Sequence, residues 1–189
     1  MTIPTDPAGR HRAVAATFTA RVRGASDWDA PAPVTGWRAR DVVCHLVEWF
    51  SDFLNSATGL VLDRGPSPVE DPVTAWQVHT DAVQRLLDGP EAATRFRHPM
   101  LGEMPLPDAV DRFYTSDVFM HTWDLARATG QDERLDPQTC ADLLAEMTPI
   151  EELMRSSGQL GPRVPVPDDA DVQTRLLGFL GRDPLRGRE

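Results

Sequence analysis

The chain has 189 residues, a hydrophobic share of 41%, a charged share of 25% and a formal net charge of −10, which suits one soluble domain with a sizeable core. Its basic residues are all arginine and form no stripe, which argues against binding nucleic acid by phosphate neutralisation and equally against an anionic membrane surface. No stretch approaches the ~20 apolar residues of a membrane span, and the N-terminal MTIPTDPAGRHR has no apolar core of a secretory signal, so a cytoplasmic protein is expected.

The first helix is expected over residues 7–22, ending near Gly24, because Val14, Phe18 and Val22 recur every four residues. The Pro-broken loop SDWDAPAPVTGW follows, and Thr35 is the expected N-cap of a second helix over 36–58. Val42, Val43, Leu46, Val47, Phe50, Phe53 and Leu54 form its apolar face. After DRGPSPVEDP, a third helix over 73–87 carries Val73, Trp76, Val83 and Leu87 on one stripe. RFRHPMLGEMPL reads as two short extended pieces around Leu101–Gly102, a small hairpin. Pro107 and Asp108 open a fourth helix that runs to Thr129 and stops at Gly130. Residues 137–154 are helical by pattern, GPRVPVPDD is an extended strap, and 172–180 form a short terminal helix. There is no internal repeat and no sign of a second-domain boundary, so residues 1–189 read as one all-α domain, an antiparallel bundle. Cys44 and Cys140 fall in no CxxC pattern and read as reduced, buried small hydrophobes.

The strongest local chemical signal is DVFMHTWD, residues 117–124. On a helix, Asp117 and His121 project from one face, with Asp124 three residues further on. The stripe is otherwise apolar, with Val110, Phe113, Tyr114, Val118, Leu125 and Ala128. A carboxylate isolated there is costly unless it is paired or coordinated. A Zn²⁺ or Ni²⁺ ion would satisfy it, and so would a direct ion pair between Asp117 and His121. His45 is the natural third ligand, yet it borders a polar stripe of Asp41, Glu48 and Asp52, and from its own helix the solvated-histidine reading is favoured. His79, near Trp76 and Val83, is the reserve ligand, His98 falls in the hairpin, and His11 is expected to be exposed. There is no GxSxG, HExxH or Gly-rich phosphate loop, and spacing singles out no arginine for an anionic substrate.

The segments GWRARDVVCHLVEW, DVFMHTWDLARATGQ and VPVPDDADVQTRLLGFLGRDP together resemble the actinobacterial metal-binding relatives of mycothiol-dependent maleylpyruvate isomerase, within the DinB-like superfamily. The resemblance extends over nearly the whole chain. It implies a four-helix up-down-down-up bundle with a metal toward one end, held by His45, Asp117 and His121. Asp117 stands where the isomerase typically has glutamate, so the carboxylate is kept and its reach is one methylene shorter. Asp124 matches the family's acidic residue after the ligand histidine and would orient an imidazole or a metal-bound water. The isomerase has a further C-terminal domain in its active site, which this chain is expected to lack, so the isomerase reaction itself is not implied.

The leading expectation is a transferase or isomerase that uses mycothiol or a similar thiol, with zinc (or nickel) activating that thiol toward a small electrophile. A homodimer through a helix face is a further expectation. Two other readings stay open. One is a non-enzymatic metal-binding or sensing module, its coordination closed by a fourth ligand such as His79. The other is metal-assisted hydrolysis with Asp124 or Glu48 as general base.

Overall fold

Helix α1 (Pro7–Gly24) starts where Asp6 accepts the Gly9 amide at 2.7 Å and Pro7 occupies a first-turn position that needs no donor. The computed structural model describes residues 3–185. Helix α2 (Ala39–Thr58) begins later than expected, and Thr35 does not cap it. Arg38 holds the cap position, and its amide donates to the Asp41 carboxylate at 2.8 Å, so the cap is closed from inside the helix. Gly59, at φ 76°, ends α2 in the left-handed conformation that favours glycine. Helix α3 (Pro72–Asp88) is capped by Asp71, which accepts the Thr74 amide at 3.0 Å.

Strands β1 (Arg95–His98) and β2 (Gly102–Pro105) form the expected hairpin, antiparallel with His98 opposite Gly102. The fourth long run comprises α4 (Leu106–Ala109), a π-helical turn at Val110–Thr115 and α5 (Ser116–Ala128). Within it the Ser116 amide reaches back five residues to the Asp111 carbonyl. That wider turn inserts a residue and rotates everything after it by about 100° relative to a plain α-helix.

The residues that meet fix the direction of each helix. Arg12 bonds Asp88 and Arg23 bonds Gln77, so α1 and α3 are antiparallel. Arg10 meets Asp111 and Arg21 meets Asp132, so α1 and α5 run the same way. His45 reaches Asp117 while Phe53 meets Phe113, which makes α2 and α5 antiparallel. Arg40 bonds the Val69 carbonyl just ahead of α3, and Phe50 meets His79, so α2 and α3 are parallel. The result is an all-α up-down-down-up bundle, its parallel pair joined by the long connection 59–71.

Phe18, Leu46, Phe50, Leu54, Trp76, Val83, Tyr114 and Val118 fill its core, and each large apolar side chain so buried contributes roughly 1.5–3 kcal/mol. Two expectations fail here. Val73 lies in the first turn of α3 and is 39% exposed, while Trp76, Val83 and Leu87 are buried. His11 is buried, not exposed. It precedes Val14 by three residues and so continues the α1 stripe inward, and Gln84 replaces water at its Nδ1, 2.8 Å away.

The chain's contacts divide at Glu133–Arg134 into two compact units, of which the bundle is the first. In the second, α6 (Pro137–Met147) packs on α8 (Val172–Leu180). The single helix expected over 137–154 is broken: a 3-10 turn at Thr148–Ile150 separates α6 from α7 (Glu151–Ser156). Pro149 has no N–H to continue the helical ladder. The strap runs close along α8, where the Val164 amide donates to the Gly178 carbonyl at 2.9 Å. A Cβ on Gly178 would come within 2.7 Å of the Val164 carbonyl, so the approach requires glycine. Among the described residues no helix is long and apolar enough to cross a membrane.

Candidate metal centre

Two antiparallel helices of the bundle supply the site. Helix α2 presents His45 between the buried Val42 and Leu46 on one side and the exposed Glu48 on the other. Helix α5 presents Asp117, His121 and Asp124 immediately after the π turn. The rotation introduced by that turn therefore sets where all three point.

His45 Nε2 donates to Asp117 Oδ2 at 3.0 Å, and His121 Nε2 faces Asp117 Oδ1 at 3.4 Å. One donor atom from each of the three residues lies within 4.8 Å of the other two. His121 is tied down from behind, because its Nδ1–H donates to Asp124 Oδ2 at 2.8 Å and Asp124 is fully buried. In the neutral ring that bond leaves the Nε2 lone pair pointing at Asp117 Oδ1, and in the charged ring Nε2–H donates to it. Two acceptors facing each other at that distance repel unless a proton or a cation lies between them. Burial by itself would push the Asp117 carboxyl up. The neighbouring His121, the hydrogen bond and charge of His45 and the Trp49 hydrogen bond together hold it below the usual carboxylate range.

Aromatic rings enclose the group. Trp37 lies over both imidazoles, 5.0 Å from His45 and 5.7 Å from His121, nearly parallel to the latter. Trp49 donates its indole N–H to Asp117 Oδ2 at 3.0 Å. Neither tryptophan emerged from the sequence as part of the site. Trp49 follows His45 by four residues and so shares its helical face, a signal that was present but reads as ordinary core.

The remaining candidates lie elsewhere. His79, the reserve ligand, is buried against Phe50, Trp76 and Tyr114, outside the three-residue donor set. Burial, then the nearby His11, lowers its pKa to about 3. His98 sits in β1 against Phe53. Glu48 and Asp52 are exposed on the outer face of α2, and Asp41 is used as the helix cap. Both cysteines are free and buried. Burial, reinforced by Glu48 and Asp41, pushes the Cys44 thiol up to about 11. Burial, reinforced by Asp136 and Asp171, takes Cys140 up to about 12.

Comparison with known proteins places this bundle. The model of the mycothiol maleylpyruvate isomerase N-terminal domain matches residues 11–126. The chain belongs to that family. His45, Asp117, His121 and Asp124 all fall inside the matched span, as does every helix of the bundle for most or all of its length. The mycothiol maleylpyruvate isomerase N-terminal domain family is mycothiol-related and metal-binding, with the DinB-like helical fold seen here. The chain is also similar to an uncharacterised protein of Mycobacterium tuberculosis strain CDC 1551 / Oshkosh, at 29% identity over 188 residues, covering 94% of this chain and 98% of that one. A protein of strain ATCC 25618 / H37Rv matches with the same identity and coverage. No solved structure matches the chain.

The donor set fits a divalent cation of this family on chemical grounds. Two imidazole nitrogens and a carboxylate oxygen suit zinc or nickel. A cation would also resolve the opposed lone pairs of His121 and Asp117 and offset two carboxylates that bracket one buried imidazole.

Proposed function

We propose that the protein holds one divalent cation, zinc or alternatively nickel, through His45, Asp117 and His121. In this reading it is a cytoplasmic transferase or isomerase that joins mycothiol, or a similar low-molecular-weight thiol, to a small electrophile. The observation that carries the proposal is the 3.4 Å approach of His121 Nε2 to Asp117 Oδ1 while His121 Nδ1 is committed to Asp124. A divalent cation in that position would be held by Nε2 and Oδ1 together.

Three protein donors leave a coordination position open, as catalytic zinc sites do. When bound, the cation supplies the charge that makes a thiol ionise near neutral pH. The chain's own residues have separate tasks. Asp124 keeps His121 in the tautomer that presents Nε2 and balances part of the positive charge. Trp37 shields both imidazoles from solvent on its side. His45 is the most exposed of the three donors, 29% by side chain against 6% for His121, so the thiol and the electrophile would enter from its side. The thiol has to come from outside the protein, because Cys44 and Cys140 are buried and held protonated.

Elemental analysis of untagged protein beside His45→Ala and His121→Ala tests the site. Near-stoichiometric zinc or nickel in the parent and loss in both variants is expected. Consumption of electrophiles by the loaded protein should then require mycothiol or a related thiol. Folded parent protein that neither carries nor takes up a divalent metal overturns the proposal, and turnover without a thiol would redirect it to hydrolysis.

A further inference from the structure

We infer that Trp49 is a positioning residue of this centre: its indole N–H holds one oxygen of Asp117, so the carboxylate offers a cation the other oxygen alone. This inference rests on the metal-binding reading and adds to it how the carboxylate is presented.

The two carboxylate oxygens of Asp117 have different surroundings. Oδ2 accepts from Trp49 Nε1 at 3.0 Å and from His45 Nε2 at 3.0 Å. Oδ1 faces His121 Nε2 at 3.4 Å. If His45 ligates a cation, its Nε2 must give up its proton, and its hydrogen bond to Oδ2 goes with it. The indole is different, because it is a donor only and has no role in coordination. Its bond to the carboxylate is charge-assisted and survives the change.

Trp49 is also fixed in place. Its ring packs against Phe50, Phe53 and Tyr114, at centroid distances of 5.8, 5.4 and 6.2 Å. Because it lies one turn beyond His45 on α2, any shift of Trp49 would carry the histidine with it. The carboxylate, with its short side chain, is therefore held in one rotation with Oδ1 toward the imidazole of His121. A single-oxygen carboxylate keeps the protein's share of coordination at three atoms and leaves space for an incoming thiol.

The test uses the whole chain loaded with cobalt(II), whose visible absorption reports coordination number, and compares the parent with Trp49→Phe. The variant is expected to bind cobalt roughly 10–100-fold more weakly, as for loss of other groups that orient metal ligands. Its visible band should also weaken as the second carboxylate oxygen joins. Phe96→Leu, which loosens the neighbouring ring cluster around Phe53 and Phe113, is expected to leave the spectrum unchanged. In the parent protein, the Trp49 indole N–H resonance should stay protected from exchange before and after zinc is added, a readout that does not depend on the variant folding. Unchanged cobalt affinity and spectrum in Trp49→Phe, or release of the indole N–H on zinc addition, overturns the inference while leaving the metal site standing. Failure of the parent to bind either ion overturns the metal site and this inference together.

Discussion

The bundle contains two groups of histidines, a helical turn apart along its fourth run. In the candidate metal centre, His45 and His121 meet Asp117 and Asp124, and the nitrogens that face inward have carboxylate oxygens within 2.8–3.4 Å. In the second group, His11 of α1 and His79 of α3 approach Tyr114 at centroid distances of 6.1 and 5.5 Å. There, His11 Nε2, His79 Nε2 and the Tyr114 hydroxyl have no hydrogen-bond partner among the described residues. Burial lowers both histidines and raises Tyr114 well above its usual value, with Asp117 adding to the latter. The tautomer of His11 is settled by the Gln84 amide rather than by a carboxylate in direct contact. Gln84 turns its amide nitrogen toward the Ala8 carbonyl and Asp88, and so offers its oxygen to Nδ1–H. Both groups set two histidines among aromatic rings, with His45 alone of the four histidines partly exposed. The carboxylates give one of them the donor set of a candidate metal site and leave the other without one.

Removing the carboxylate should erase that difference. Asp117→Ala is expected to lose zinc altogether, with the two imidazoles still in place; near-stoichiometric zinc in the purified variant would show that histidines alone suffice. The next largest effect concerns the neutral group and acid. His79 has a folded pKa of about 3 against an ordinary 6.5, so between those values the unfolded chain binds the extra proton. Stability is therefore full above pH 6.5 and falls as the pH drops toward 3, by on the order of 4 kcal/mol over the whole window. Urea unfolding at pH 7.5, 5.5 and 4 should show this slope, and His79→Phe should flatten most of it. An equal slope in the variant would place the acid sensitivity elsewhere. A smaller effect is expected from Asp124→Asn, which keeps an acceptor for His121 but removes the charge. Zinc affinity should fall by ~10–100-fold, measured by competition with a chelating dye, and an unchanged affinity would mean that Asp124 only packs.

Much of the secondary structure was legible in the sequence because helical periodicity is a local property. The α8 boundaries, the hairpin around Gly102 and the inward stripes of α2 and α5 all follow from spacing and turn residues. Asp117 and His121 were legible for the same reason, as polar residues on a stripe that is otherwise apolar. What stayed hidden depended on partners distant in sequence. Trp49 looks like core until Asp117, 68 positions on, comes up beside its indole nitrogen. His11 looked exposed beside Arg10 and Arg12, and only the approach of Gln84, 73 positions away, gives its ring a polar contact inside. The cap of α2 was misplaced because Thr35 is a good capping residue by type, while Asp41 closes the turn from within. The π turn has no signature of its own in VDRFYT, although it sets the rotation of every α5 residue at the site.

The smallest expected effect is the sharpest test of the neutral group. Tyr114→Phe removes a hydroxyl that has no partner among the described residues and keeps the ring that stacks on Phe50 at 4.1 Å. A buried hydroxyl that is hydrogen-bonded contributes roughly 0.5–1.5 kcal/mol, whereas an unsatisfied one is a cost. The variant should therefore be as stable as the parent or more so by up to ~1 kcal/mol, measured by urea unfolding at pH 7.5. A loss of more than ~1 kcal/mol would mean that the hydroxyl is bonded in solution. The His11–His79 group would then be a polar network, and the contrast with the metal centre would narrow to charge alone.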